Sequence, residues 1–514
     1  MDQADRSRLS PRALLWLGAG LALLIAVVLF SRWSIDDRLT RDESIYAYGG
    51  QQLAAGVPPY VSIVDPKTPL ATFLSGGAVT IGRAVQVDDV VAIRYAFFLF
   101  ACLAVVAVFL ACALLYESVL AGLFGAASLA AFETFARDAL GGPNPKTPAV
   151  LLAALATALL LRRKWFWGGL VSALAMLIWQ PLIIYVVVAA AAAYLGSERS
   201  DRLRALAAAG AGAAIPVLAV LVYFVLAGAF AELFENAFLL PATGTVRRER
   251  TLVEHLVHIV DMIQRGFGIG ALLFWFGLLA MAVLIGVRLW RAWHDLRALG
   301  HEPLVILVLP PLAFFVAFSI VDFQGYDDAF PLMLYAAMGV AGVAAAAELP
   351  LRDTTGLVRF APATVLAVLV AATLWWYIQP REEGHELAQQ RRDAAAVDAL
   401  LGPGGRLYAL GDPSLLVLTD RTNPSPNIFL SAGVDQWVVR HTPGGFAGWT
   451  RRIEESGPDA VYLNAWITQL PYRDRMLAWL RQRYEQIEIG DLRLFVTPQL
   501  VEEANRPAGA LLLR

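Results

Sequence analysis

Two adjacent acids, Asp42 and Glu43, follow Arg41 where a polar loop opens, and Asp65-Pro66-Lys67 lies further along the same loop. A carboxylate can take the proton from an incoming hydroxyl, and a cation can hold the charge that develops on a departing phosphate. Asp42 and Lys67 have the side chains for these two tasks, which transfer of a sugar from a lipid phosphate requires. A second group follows in Arg94, the adjacent pair Arg137-Asp138, and Lys146. An acidic pair after an apolar run is also what a solvated loop contains, so the weight of these residues depends on the elements that position them.

Those elements belong to a membrane. The chain has 514 residues, of which 58% are hydrophobic and 16% charged, too apolar for one soluble core of this size. Its formal net charge of -2 excludes a basic face that would track nucleic-acid phosphates. Arg6, Arg8 and Arg12 precede the run 13–30, which ends without a small-residue cleavage pattern and reads as a retained first span. Further apolar runs at 91–113, 118–136, 148–161, 165–180, 182–195, 205–228, 268–287, 303–321, 330–347 and 360–378 bring the expected number to about eleven. With the N-terminus in the cytoplasm, four successive cytoplasmic loops carry Arg162-Arg163-Lys164, then Arg199, Arg202 and Arg204, then Arg288, Arg291 and Arg297, then Arg352. The run 70–82 is short and contains Gly76-Gly77; counting it as a span would place every later arginine outside. It therefore reads as an interfacial or re-entrant helix within one long first external loop, 31–90.

The remaining external segments are 137–147, 229–267, 322–329 and everything after Trp376. Residues 1–380 form the expected transmembrane domain. The tail, 381–514, turns polar and has short strand-like runs at 407–410, 415–418, 460–463 and 492–496, with helical stretches at 386–401 and 472–484, as expected of a small α/β domain outside the membrane. Cys102 and Cys112 lie ten residues apart in one apolar run, about 15 Å along a helix, beyond disulfide reach. The loop Asp322 to Asp328 reads as a wet hairpin, with contact to a sugar or cation as the alternative. Arg247-Arg248-Glu249-Arg250 departs from the arginine pattern and suits an anionic group or lipid headgroup. Gln180-Pro181 ends a short span and either faces a ligand or kinks the helix. His255 and His258, without a carboxylate partner, make a poor metal site. Trp375 and Trp376 suit an interfacial belt.

The pattern Asp42-Glu43, Gly56-Val57-Pro58-Pro59-Tyr60 and Lys67-Thr68-Pro69-Leu70 resembles the GT-C superfamily of integral membrane glycosyltransferases, in particular its protein mannosyltransferase and lipid A aminoarabinose transferase branch. Arg94 resembles the arginine that enters the second helix of that family. Arg137-Asp138 matches its Arg-x-x-x-Asp pattern less closely, because the two residues are adjacent. The motifs cover roughly residues 10–200, and the layout agrees beyond them. The resemblance implies a helical membrane fold with an extracytoplasmic C-terminal domain and a plasma or inner membrane location. It implies inverting transfer of a sugar from a polyprenyl-phosphate donor to a lipid, protein or glycan acceptor. Asp42 would then be the general base, with Glu43 and Asp138 assisting, and Lys67, Arg94 and Lys146 would bind the donor phosphate, Arg94 being equally suited to anchor at lipid headgroups. A divalent cation at the acidic pair is a further option.

A polytopic transporter is the main rival, but transporters place ionisable residues in their spans, and the later spans here contain almost none. A lipid-glycan polymerase or ligase would use large, arginine-bearing later loops, for which Arg247 to Arg250 are the candidates. A membrane scaffold would leave the Asp42 pattern unexplained.

Overall fold

A computed structural model describes residues 10–243, 251–292, 301–348, 361–377, 386–430, 433–464 and 471–504. Helices begin where the sequence provides caps. Ser10 accepts the Ala13 N–H at 3.2 Å with Pro11 in the first turn, opening α1 (Pro11–Phe30). Thr40 and Glu43 form a capping box at the head of α2 (Arg41–Ala54). There follow α3 (Leu70–Ala84), α4 (Asp89–Leu115), α5 (Val119–Ala130), α6 (Glu133–Gly141), α7 (Lys146–Leu161), α8 (Trp165–Ile178), α9 (Ile183–Leu195) and α10 (Arg202–Leu226). The short α11 (Phe230–Phe234) and α12 (Leu240–Thr243) precede α13 (Leu252–Phe267), α14 (Gly270–Arg291), α15 (Leu309–Val321), α16 (Phe330–Glu348) and α17 (Ala361–Tyr377).

Each of the eleven apolar runs contains a helix, but their lengths differ. Among the described residues six helices are long and apolar enough to cross a membrane, and α5 with α6 would make a seventh if that bent pair is one span. The chain is an integral membrane protein. The run 118–136 does not continue as one rod: α6 turns away from α5 by 59°. Because α6 carries Glu133, Arg137 and Asp138, we place it with the polar loops rather than in the span. α7, α8 and the segment Gln180–Leu195 are shorter than a full crossing. Arg247 to Arg250, Arg297 and Arg352 lie outside the described residues.

The helices meet through small side chains, as bilayer packing favours. An added Cβ at Gly277 would stand 2.3 Å from the Ala336 carbonyl, and one at Gly339 would meet the Gly277 carbonyl, so α14 and α16 cross backbone to backbone. Cys102 and Cys112 are buried in the interior of α4. The short run 70–82 is indeed a helix of its own, packed on α2 and α4.

The polar tail carries α18 (Glu386–Leu401), α19 (Ser414–Thr419), α20 (Val434–His441), α21 (Gly445–Ser456), α22 (Arg473–Arg481) and α23 (Pro498–Ala504) around a four-stranded sheet. Its strands are β1 (Leu407–Leu410), β2 (Ala460–Leu463), β3 (Glu485–Ile489) and β4 (Leu492–Val496), in the order β1-β2-β4-β3. β1 and β2 are parallel, with Leu407 opposite Ala460, while β4 runs antiparallel to both its neighbours. The run 415–418 is helical rather than extended, because Asp412 accepts the Ser414 N–H at 2.7 Å and starts a turn. β3, Glu-Gln-Ile-Glu-Ile, escaped sequence reading because it is a mostly exposed edge strand with little apolar content.

This tail is bolted to the long first loop. Leu39 and Gln390 exchange two hydrogen bonds, at 2.7 and 3.1 Å. The Leu387 N–H donates to the Asp36 carbonyl at 2.9 Å, and the Val64 N–H to the Pro426 carbonyl at 2.9 Å. Ile45, Tyr48 and Ile63 share one apolar core with Leu387, Leu415 and Ile428.

Candidate active site

The site assembles at the head of α2. Glu43 closes the capping box: its carboxylate accepts the Thr40 N–H at 2.9 Å, and its own N–H donates to the Thr40 hydroxyl at 3.4 Å. Asp42, one residue earlier, is left facing outward, with its side chain 68% exposed. The Arg41 guanidinium holds it at 2.8 Å and lies over the Phe429 ring of the tail at 5.0 Å, so the C-terminal domain helps orient the acid. α2 is fixed against α3 by close backbone approach: a Cβ on Gly50 would lie 2.7 Å from the Ser75 Cβ and 2.9 Å from the Gly76 nitrogen.

The turn after α2 returns a second acid and a lysine. Asp65 is buried and accepts the Lys67 N–H at 3.1 Å; burial raises its carboxyl above the usual range, and Lys67 offsets part of that rise. The Tyr60 hydroxyl donates to the Lys67 carbonyl at 2.7 Å, and Gln180 donates to the Pro66 carbonyl at 2.7 Å. Gln180 therefore holds this turn, in addition to ending its helix. The Lys67 ammonium rests over the Tyr46 ring at 5.4 Å.

Lys146, the first residue of α7, is 7% exposed and sits between two acids of the loop before α16, at 2.7 Å from Asp327 and 2.6 Å from Asp328. Asp328 also accepts the N–H groups of Gln324, at 2.7 Å, and Gly325, at 3.1 Å. The Trp179 ring lies 5.6 Å from the same ammonium. The segment Asp322 to Asp328 is therefore no wet hairpin: its last two acids are folded inward against a buried lysine. Burial would lift the Asp327 carboxyl, but the Lys146 ammonium prevails and holds it below its ordinary value.

On α6, Asp138 is linked to Arg137 at 3.5 Å and accepts from the Tyr326 hydroxyl at 3.3 Å, while Arg137 donates to the same hydroxyl at 3.3 Å. Burial pushes the Asp138 carboxyl up to about 7, aided by Asp327 and Glu43 and opposed by Arg137. Burial likewise raises Glu43, against its bonds from Thr40 and the charge of Arg94.

Arg94 is fully buried. It donates at 2.6 Å to the Gly141 carbonyl and also to the Ile35 carbonyl, tying α4 to α6 and to the start of the first loop. Its second terminal nitrogen is buried without a partner. This places Arg94 behind the site as a brace.

All six residues singled out in the sequence thus fall in one electrostatic network. Asp42 and Lys146 act on Tyr46, Lys67 acts on Lys146, Glu43 acts on Asp138, and Arg94 acts on Glu43. Asp65, Tyr46, Tyr326, Asp327 and Asp328 join them, although the sequence offered only acids and aromatics in loops as a sign. Among the described residues no group of three His, Cys, Asp or Glu side chains is arranged to hold a metal ion. Arg41 and Thr40 already engage Asp42 and Glu43, so this acidic pair fits a divalent cation poorly. His255 bonds the Ser319 carbonyl at 3.0 Å.

The whole layout has solved counterparts. ArnT from Cupriavidus metallidurans in the apo state is similar with a TM-score of 0.59 at 15% identity, over 94% of this chain and 98% of that one. The same protein bound to undecaprenyl phosphate gives 0.57 at 15% identity over the same shares. The archaeal oligosaccharyltransferase AglB from Archaeoglobus fulgidus, in complex with an inhibitory peptide and a dolichol-phosphate, gives 0.53 at 13% identity over 95% of this chain and 74% of that one. The chain has the GT-C fold. No family model matches the sequence, and no curated protein matches it. Within the GT-C fold of this chain, α2 presents Asp42, the turn after it presents Lys67, and the loop before α16 closes on Lys146.

Proposed function

We propose that this GT-C chain is a glycosyltransferase that moves a sugar from a polyprenyl-phosphate donor onto an extracytoplasmic acceptor, a lipid, protein or glycan, with inversion. The observation that carries this reading is the placement of an exposed carboxylate, Asp42, at the edge of a buried charge network that includes the half-buried Lys67. Asp42 takes the proton from the acceptor hydroxyl, whose oxygen attacks the anomeric carbon as the bond to the donor phosphate breaks and the lipid phosphate leaves. Lys67 is the cation assigned to that phosphate. Lys146 and Arg94, engaged by two carboxylates and by carbonyls, act through their field and by holding loops in place. Asp138 and Glu43 support Asp42 from behind. No step requires a metal. The N-terminus is cytoplasmic and the C-terminal domain lies outside, in keeping with the arginines of the even-numbered loops.

Proteoliposomes supplied with a polyprenyl-phosphate sugar test the reading: the wild-type chain transfers sugar, and Asp42→Asn abolishes transfer at equal protein level. A fully active Asp42→Asn chain overturns the assignment. For orientation, Gln482→Cys reacts with an impermeant thiol reagent added outside; labelling from the cytoplasmic side alone refutes it.

A further inference from the structure

Tyr46 stands one helical turn after Asp42 on the same face of α2. It is 2% exposed, and its hydroxyl has no hydrogen-bond partner. A buried tyrosine normally spends its hydroxyl on a bond, because a desolvated O–H without one costs free energy. Other buried tyrosines near the site obey that rule. Tyr48 accepts the Asn423 N–H at 2.9 Å, and Tyr60 donates to the Lys67 carbonyl at 2.7 Å. Tyr46 instead lies where four segments converge, in electrostatic reach of Asp42, Asp65, Lys146 and Asp327, with the Lys67 ammonium over its ring at 5.4 Å. None of these acids comes within bonding distance of the hydroxyl.

A free O–H donor beside a partly exposed ammonium is matched by an anionic oxygen, which can accept from both at once. A sugar hydroxyl would use the O–H but leave the ammonium uncompensated. We propose that the Tyr46 hydroxyl is a ligand-binding group that donates to a non-bridging oxygen of the donor's phosphate, with Lys67 neutralising the same group. This rests on the glycosyltransferase reading and adds to it the donor that completes the phosphate's hydrogen bonds. Because the same phosphate is the leaving group, the bond persists as negative charge builds on it.

Tyr46→Phe removes only the oxygen. Binding of sugar-free polyprenyl phosphate to the full chain in nanodiscs is expected to weaken about tenfold or more. The melting temperature without ligand is expected to stay level or rise, because the variant no longer buries an unmet hydroxyl. Tyr48→Phe is the control: it loses a formed bond to the tail, so its melting temperature falls while lipid-phosphate affinity holds. A fall in melting temperature for Tyr46→Phe, or affinity within twofold of wild type, overturns the proposal and leaves the glycosyltransferase reading intact. Weakened transfer with unchanged binding of the sugar-free lipid moves the hydroxyl to the sugar and also overturns it. A wild-type chain that fails to bind polyprenyl phosphate at all sinks both.

Discussion

The two halves of the charged network differ in how completely their groups are satisfied. Around Lys146 and Asp328, each charge is buried and faces a partner: an ammonium between two carboxylates, and a carboxylate on that ammonium and two N–H groups. Along α2 and the turn that follows it, Asp42 is exposed and Tyr46 has an unmet hydroxyl. A saturated cluster in a low dielectric is stiff, since any movement uncovers a charge. An unsaturated one keeps bonding capacity for a ligand. On the function proposed above, the first half holds the geometry and the second does the chemistry, so substitutions in the two should fail in different ways.

The sharpest contrast is between Asp42 and Lys146. Asp42→Asn should reduce transfer by about 10²–10⁴-fold while leaving the melting temperature unchanged, as measured by initial rates and thermal unfolding on the same preparation. Lys146→Met should do the reverse in kind, costing about 3–5 kcal/mol of stability because Asp327 and Asp328 are left facing each other in a buried site. Adding Asp328→Asn to it should recover part of the loss. Equal stability losses for the Asp42 and Lys146 variants would erase the distinction.

Backbone contact supports the reactive half more weakly. Gly50→Ala must separate α2 from α3 and should cost about 1–3 kcal/mol, whereas Gly77→Ala, exposed with nothing near its added Cβ, should be neutral or slightly stabilising. Asp138 sharpens the comparison through pH. Its carboxyl titrates at about 7 in the folded chain against 3.8 for the free side chain, so the folded state holds a proton that the unfolded state has already lost. Stability is therefore complete below about 4, declines as pH rises toward 7, and is level above. Asp138→Asn should flatten that window in melting curves taken from pH 4 to 8. The smallest effect is expected at the rim, where Arg391 and Asp88 pair at 2.7 Å while well exposed: Arg391→Ala should cost under about 1 kcal/mol.

Much of this was legible before any coordinates. The apolar helices coincide with the apolar runs because bilayer burial demands continuous hydrophobic stretches, whereas α2, opened by the capping box of Thr40 and Glu43, lies within what reads as a loop. Asp42 and Lys67 stood out because they share the long first loop and have side chains suited to a proton and to a phosphate. The loop from Asp322 to Asp328 was misread because nothing local distinguishes a solvated acid from one folded onto a lysine 181 residues away in sequence. For the same reason the hydrogen bonds of Arg94 to the Gly141 and Ile35 carbonyls could not be read from the sequence. Its actual partners are carbonyls, which every residue has and no sequence displays.

What the sequence determined alone is the class of the molecule, the positions of its apolar helices and the residue types at its polar end, since these follow from hydropathy. Only the tertiary structure decided which charges are neutralised inside the protein and which keep a free valence. That depends on distances between remote segments in a medium of low dielectric, where a few ångströms separate a brace from a reactive group.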